Sequence, residues 1–268
     1  MVKYDFDPRK LLFKQYLRWL PAQLGLINKG AFILQIDEIR KTDIFFASYP
    51  KSGNTWLRYI MAAALRGSVD IGIDELKMVV PDVYIYKTKI NTTPGLRYIK
   101  THHALFNYYP RTVYIYRNVF DVVVSYYNHA FNKKLFKGSL KEFVHSDFRS
   151  RYFGSWASHA GAALEAKHKG SDLLILRYED LLTNPEPHIA SLLAYTRIQT
   201  RLTPAEIAAM TKFENLRDTE NRMGSFFITG EKFFRKGMQN NHAELDEEDK
   251  KHILDAQTLA LMRKLGYL

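Results

Sequence analysis

Residues 45–58 read Phe-Phe-Ala-Ser-Tyr-Pro-Lys-Ser-Gly-Asn-Thr-Trp-Leu-Arg. A short apolar strand, from about Ile44 to Ser48, breaks at Pro50 into a polar turn, and the run from Trp56 to Leu65 has the apolar spacing of an amphipathic helix. Strand, turn and helix in that order open a parallel α/β sheet. A helix start offers unpaired backbone N–H groups and the positive end of a dipole. Here Lys51, Ser52, Asn54 and Thr55 add side-chain donors around it, so the turn reads as an anion cradle. It is not the standard phosphate loop. In G-x-x-x-x-G-K-[ST] the lysine follows the last glycine, whereas Lys51 precedes Gly53 and approaches the anion from the opposite side.

Working outward, Leu96 to Ile99, Thr112 to Tyr116 and Leu173 to Leu176 read as three further short strands, the second followed by a helix from about Val119 to Phe131. Helical periodicity returns at Pro187 to Tyr195, Pro204 to Lys212 and Asp246 to Leu265, with proline at the helix start in two of them. Segments 67–95, 131–153 and 218–234 carry no clear period and read as irregular. The expected fold is one α/β domain over 1–268, with a central, mainly parallel β-sheet flanked by helices and a P-loop-like phosphate-binding turn. Residues 1–40 form a helical segment packed on it. The stripe Leu11, Leu12, Tyr16, Leu17, Trp19, Leu20, Leu24, Leu26 and Ile27, interrupted by Pro21, reads first as a core-packing helix. Its basic face also suits a lid or a peripheral membrane contact.

A chain of 268 residues with 46% hydrophobic content buries a sizeable core. No apolar run approaches the length of a membrane span and the N-terminus is charged without an apolar signal core, so a cytoplasmic protein is expected. Zero cysteines exclude disulfides and thiolate chemistry. The net charge of +11 calls for an anionic partner. The basic residues are scattered rather than gathered into a tract, which argues against nucleic acid. No H-E-x-x-H and no EF-hand loop is present, so no metal is required.

The turn at 49–56, together with Tyr-Ile-Tyr-Arg-Asn-Val-Phe-Asp-Val-Val-Val-Ser at 114–125, resembles the sulfotransferase family that uses 3′-phosphoadenosine 5′-phosphosulfate (PAPS) and releases 3′-phosphoadenosine 5′-phosphate (PAP). The likeness continues, in the family's order, through Lys100-Thr101-His102, Arg177-Tyr178-Glu179-Asp180-Leu181 and Phe234-Arg235-Lys236-Gly237-Met238. It implies that Lys51 is catalytic at the 5′-phosphate, that Ser52, Gly53, Asn54, Thr55 and Trp56 contact the co-substrate, and that His102 is the general base with Lys100 as a further catalytic cation. It also implies that Arg117 and Ser125 take the 3′-phosphate, joined by Arg235, Lys236 and Gly237, and that Tyr178, Thr211 and Phe213 meet the adenine with Trp56.

The residues alone are less committal. Imidazole titrates in the range a base needs, but His103 stands beside His102 and competes for the role. Asp121 reads as a cap or an ion-pair partner rather than an acid. Asn54 stands where many members of the family have threonine, and an amide donates as a hydroxyl does. The chain leaves the family's pattern at Gln239-Asn240-Asn241-His242, and the family's dimerisation motif does not follow, so the oligomeric state stays open. Sulfuryl transfer to a hydroxyl of a small organic, lipid-like or carbohydrate acceptor is the leading expectation. A nucleotide kinase and a non-catalytic nucleotide-binding module are the alternatives. Tyr84, Tyr86, Phe131, Phe136, Tyr152, Phe153, Phe226, Phe227 and Phe233 are the expected lining of the acceptor site.

Overall fold

The computed structural model describes residues 24–25, 28–224 and 242–268. Along the chain lie α1 (Lys29–Leu34), β1 (Ile44–Ala47), α2 (Asn54–Arg66), α3 (Ile73–Val79), α4 (Lys87–Thr92), β2 (Tyr98–Thr101), β3 (Arg111–Tyr116), α5 (Val119–Asn132), α6 (Leu140–His145), α7 (Trp156–His168) and β4 (Leu173–Arg177). They are followed by α8 (Tyr178–Thr183), α9 (Pro185–Thr196), α10 (Pro204–Met210), α11 (Phe213–Met223), α12 (Glu247–Ile253) and α13 (Ala256–Lys264). Of the N-terminal stripe, the positions before Leu24 and residues 26–27 lie outside the described residues, as do Phe226, Phe227 and Phe233.

The four strands form one parallel sheet in the order β2-β1-β3-β4. A parallel strand is covered on both faces, and β1 is apolar throughout for that reason. Its side chains alternate between two cores. Phe45 and Ala47 join Tyr114 and the inner faces of α5 and α7, while Ile44 and Phe46 join Val113, Ile115 and the inner faces of α2, α9 and α10. A buried fork locks the far end of the β1–β2 pair. Arg97 donates from Nε to Asp43 Oδ1 at 2.7 Å and from Nη2 to Oδ2 at 2.6 Å, both side chains being buried.

The chain passes from β1 to β2 on one side and then to β3 on the other. The reversal leaves a crevice outside the carboxyl ends of β1 and β3, where open α/β sheets bind ligands. Ala47 is level with Thr101 and with Tyr114, so the turn after β1 and His102 after β2 emerge side by side.

Two expectations need correction. Segments 67–95 and 131–153, and 218–223 within the third, are not irregular, since they hold α3, α4, α6, a 3-10 turn at Asp147–Arg149 and the end of α11; residues 225–234 lie outside the described residues. Helices of six or seven residues give too few turns for a period to register, but the capping box of Ser139 and Glu142 marks α6 in the sequence. The expected helix from 246 to 265 is two. Leu254 ends α12, and the Asp255 carboxylate accepts from Thr258 N at 2.7 Å to start α13.

Candidate active site

The turn between β1 and α2 is held in a conformation few residues tolerate. Lys51 has φ +69°, unusual for a residue with a side chain, and Gly53, which caps α2, has φ +110°. A Cβ on Gly53 would lie 2.7 Å from Tyr178 Cδ2 and 3.1 Å from Ile115 Cδ1, so only glycine fits between the turn and β3–α8. Ser52 N donates to Tyr49 O at 3.3 Å. Ser52 Oγ is fully buried and has no hydrogen-bond partner among the described residues, a cost that a bound anion would remove. With the N–H groups of the first turn of α2, which have no acceptor within the helix, the turn fits a phosphate. Asn54 is used differently from the sequence reading. Its amide nitrogen donates back to Phe46 O at 3.0 Å and Ser48 Oγ at 3.3 Å, tying the start of α2 to β1.

His102 stands beside this turn. Its Nδ1 lies 2.8 Å from Ser48 O, and since a carbonyl only accepts, Nδ1 carries the proton and Nε2 the lone pair. Burial and the charge of Lys100 push the imidazole well below its ordinary value, so the ring is neutral near pH 7. Its backbone is fixed at both ends of the residue. The N–H donates to Tyr84 Oη at 2.8 Å, and the C=O accepts from His159 Nε2 at 2.9 Å. His159 is fully buried, with Nδ1 3.0 Å from Tyr114 Oη. His103 is also depressed, to about 4, by burial and then Lys100, so charge state does not separate the two histidines. Anchoring does, because it is the His102 ring that is tied to the turn.

Lys100 is buried, with its ammonium 2.9 Å from Asp82 Oδ2 and 5.0 Å from the centre of the Tyr84 ring. Segment 81–83 runs along the outer edge of β2, Lys100 N donating to Pro81 O and Val83 N to Lys100 O. Lys51, Lys100 and Lys133 all bear on His129, which burial and these charges push down to about 2. His129 thus feels the positive charge of all three lysines.

On the other flank of the turn, Trp56 and Tyr178 meet edge to face at 5.4 Å, and Trp56 Nε1 donates to Thr211 O at 3.0 Å. Phe213 packs in the same cluster as Trp56. The Arg117 guanidinium lies 4.3 Å from the centre of the Tyr178 ring, and its Nη2 is 3.5 Å from Asp121 Oδ2. Asp121 also accepts from His242 Nδ1 at 2.8 Å, which makes it an ion-pair and hydrogen-bond partner. Ser125 is half-buried two turns along α5. The structure thus gathers Trp56, Tyr178, Thr211, Phe213 and Arg117, while Thr55 is half-buried in the first turn of α2. Arg235, Lys236 and Gly237 lie outside the described residues.

Of the expected acceptor-site aromatics, Tyr84 and Phe153 face His102 at 6.3 and 5.4 Å between ring centres, and Tyr152 adjoins Phe153 at 6.4 Å. Phe136 instead packs on Phe143 and Phe148, and the Tyr86 hydroxyl reaches Asp74. Asp82, His159 and Tyr114 were missed. Asp82 and His159 lie in no motif, Tyr114 opens the 114–125 motif without a role of its own there, and only the fold brings the three to Lys100 and His102. Among the described residues no group of three or more His, Cys, Asp or Glu side chains could hold a metal ion, and no helix is long and apolar enough to cross a membrane.

Residues 41–265 match the family described as Sulfotransferase domain. Sulfotransferase 1A1 of Rattus norvegicus is 29% identical over 196 residues, 66% of this chain and 67% of that protein. Cytosolic sulfotransferase 7 of Arabidopsis thaliana is 28% identical over 274 residues, 87% of this chain and 82% of that protein. Among solved structures, mouse sulfotransferase SULT7A1 complexed with PAP superposes with a TM-score of 0.63 at 18% identity, covering 89% of this chain and 92% of that one. Retinol dehydratase in a complex with retinol and PAP gives 0.63 at 20% identity, covering 84% and 82%. At these identities the structures establish the shared fold.

Proposed function

The chain belongs to the sulfotransferase family, and we propose that it moves the sulfuryl group of PAPS to a hydroxyl of a small acceptor, with His102 as the base. One observation carries this reading. A neutral imidazole, its Nδ1 proton committed to Ser48 O and its Nε2 lone pair left for chemistry, stands beside an anion-cradling turn and under an aromatic wall.

PAPS supplies an activated sulfuryl group, which passes to the acceptor oxygen as the bond to the 5′-phosphate breaks. The chain's part is positioning and charge. His102 Nε2 takes the proton of the acceptor hydroxyl as that oxygen attacks. Lys51 and the N–H groups at the start of α2 hold the 5′-phosphate and offset the charge it gains. Lys100, whose charge bears on His102, is the cation we assign to the sulfuryl oxygens. Trp56, Tyr178, Thr211 and Phe213 take the adenine. Arg117, with Ser125 and the Arg235-Lys236-Gly237 stretch, takes the 3′-phosphate, where a guanidinium fork suits a terminal phosphate.

For the acceptor, Tyr84, Phe153 and Tyr152 favour a flat or apolar hydroxyl compound over an extended polar chain. Retinol and androsterone, named in complexes of structural neighbours, have that character. A cytoplasmic setting accords with relatives named cytosolic.

Calorimetric binding of PAP, beside adenosine 5′-phosphosulfate and ATP with magnesium, tests the reading without an acceptor. Tight binding of PAP, weakened when the 3′-phosphate is absent, is expected. Preference for ATP with magnesium would turn the assignment to a kinase.

A further inference from the structure

Lys100 is buried and its surroundings work against its charge. Burial and the like charges of Arg58 of α2 and Lys133 at the end of α5 bear against it, while His102, His103 and His129, which feel its charge, stay neutral near pH 7, and the Tyr84 ring lies alongside. One carboxylate opposes them. Asp82 accepts from Lys100 Nζ at 2.9 Å through Oδ2, and its Oδ1 accepts from Tyr84 N at 2.9 Å, so both oxygens are held. The contact is built into the backbone, because the bridge between segment 81–83 and β2 sets Asp82 and Lys100 opposite one another. Paired residues of a parallel ladder project to the same face.

Arg58 is the second anomaly. It is 4% exposed, and its Nε and Nη2 have no hydrogen-bond partner among the described residues. Its charge bears on Asp82 and on Lys100. A buried guanidinium with open donors, whose charge is offset in part by Asp82, draws on the carboxylate already bonded to Lys100.

We infer that Asp82 is a positioning residue that keeps Lys100 cationic inside the site, and that Arg58 weakens its hold. The inference rests on the reading of Lys100 as a sulfuryl-group contact for its functional meaning, but not for its test. Burial pushes Lys100 down to about 8, with Asp82 pulling the other way. Removing the opposing carboxylate lowers that value further and leaves the amine neutral near pH 7. Removing Arg58, a like charge, raises it.

The experiment is an NMR titration of protein labelled with 13C at the lysine ε-carbon, the Lys100 signal being the one lost in Lys100→Arg. Asp82→Asn is expected to lower the midpoint by about one to three units, the span typical of one nearby opposite charge. Arg58→Met is expected to raise it. If Asp82→Asn does not fold, Arg58→Met still decides, because it removes a buried uncompensated charge rather than creating one. An unmoved midpoint in the folded variants overturns the inference. The pH profile of PAPS turnover is read in parallel: an alkaline limb that stays put while the midpoint moves would overturn the catalytic reading of Lys100 and leave the role of Asp82 standing.

Discussion

With one wall of the crevice assigned by our proposal to PAPS, the donor wall, and the other to the acceptor, the acceptor wall, the two are built on opposite principles. The donor wall, from Lys51 through Trp56 to Arg117 and Tyr178, is rigid and interlocked: Gly53 nests against Tyr178, Arg117 stacks on the same ring, and Trp56 is tied to Thr211. The acceptor wall is made of aromatic side chains from segments distant in sequence. Tyr84, His103, Phe153 and Tyr152 meet through ring contacts, and Tyr152 is 59% exposed. A fixed co-substrate asks for fixed donors, whereas an apolar acceptor asks for a shape, and a shape of rings is readily altered.

The sharpest way to break this contrast lies at its seam. His102→Ala is expected to cut turnover by about 10²–10⁴-fold, the usual contribution of a positioned base, with PAP affinity unchanged in calorimetry. Near-normal turnover would pass the base role to His103. Next in size, Arg117→Met should weaken PAP by about ten- to a hundredfold, the worth of about 1.5–3 kcal/mol for a hydrogen bond to a charged group. Adenosine 5′-phosphosulfate, which lacks the 3′-phosphate, should be nearly indifferent to the change. Equal losses for both ligands would undo the assignment of that corner.

The buried histidines around the crevice also carry an acid sensitivity. His102, His103, His129 and His159 are all held below the ordinary histidine value, chiefly by burial. The folded chain therefore binds fewer protons than the unfolded one below about pH 6.5. The stability of each neutral histidine is fully present above that pH and is lost as pH falls towards the folded values, about 4 for His103 and His159. Each can cost up to about 1.4 kcal/mol per pH unit in that window. Thermal unfolding between pH 7 and 4.5 should show a falling Tm, and His159→Gln should flatten the fall. The smallest effect is expected at the acceptor wall itself. Phe153→Ala should raise KM for a flat acceptor such as 2-naphthol by about two- to tenfold, the scale of about 0.5–1.5 kcal/mol for an aromatic pair, and leave PAP affinity alone.

The same contrast explains what was legible in the sequence. All four strands, α2 and α5 could be found, because the continuous apolar run of 44–47 and the spacing of Lys51, Ser52 and Gly53 are local and chemically constrained, whereas Tyr178, Thr211 and Phe213 were named through the resemblance. Asp82, His159 and Tyr114 could not, since each acts through a partner 18 or more positions away that only β-pairing or helix docking brings near. For Asn54 the resemblance implies a co-substrate contact, and the fold adds a bond that the sequence did not show: its amide donates to Phe46 O and ties the start of α2 to β1. The aromatics expected at the acceptor site sorted only in three dimensions, Tyr84 and Phe153 to His102 and Phe136 to the core.

The alternation of β1 between two cores has a consequence for how the molecule comes to be active. Neither layer of helices alone completes the crevice, since α2 docks on one face of the strand and α5 and α7 on the other. Competence to bind nucleotide is therefore the last property gained on refolding, after the slow, non-local pairing of parallel strands and the closure of both layers. A nucleotide-binding signal and the final folding phase should share one rate.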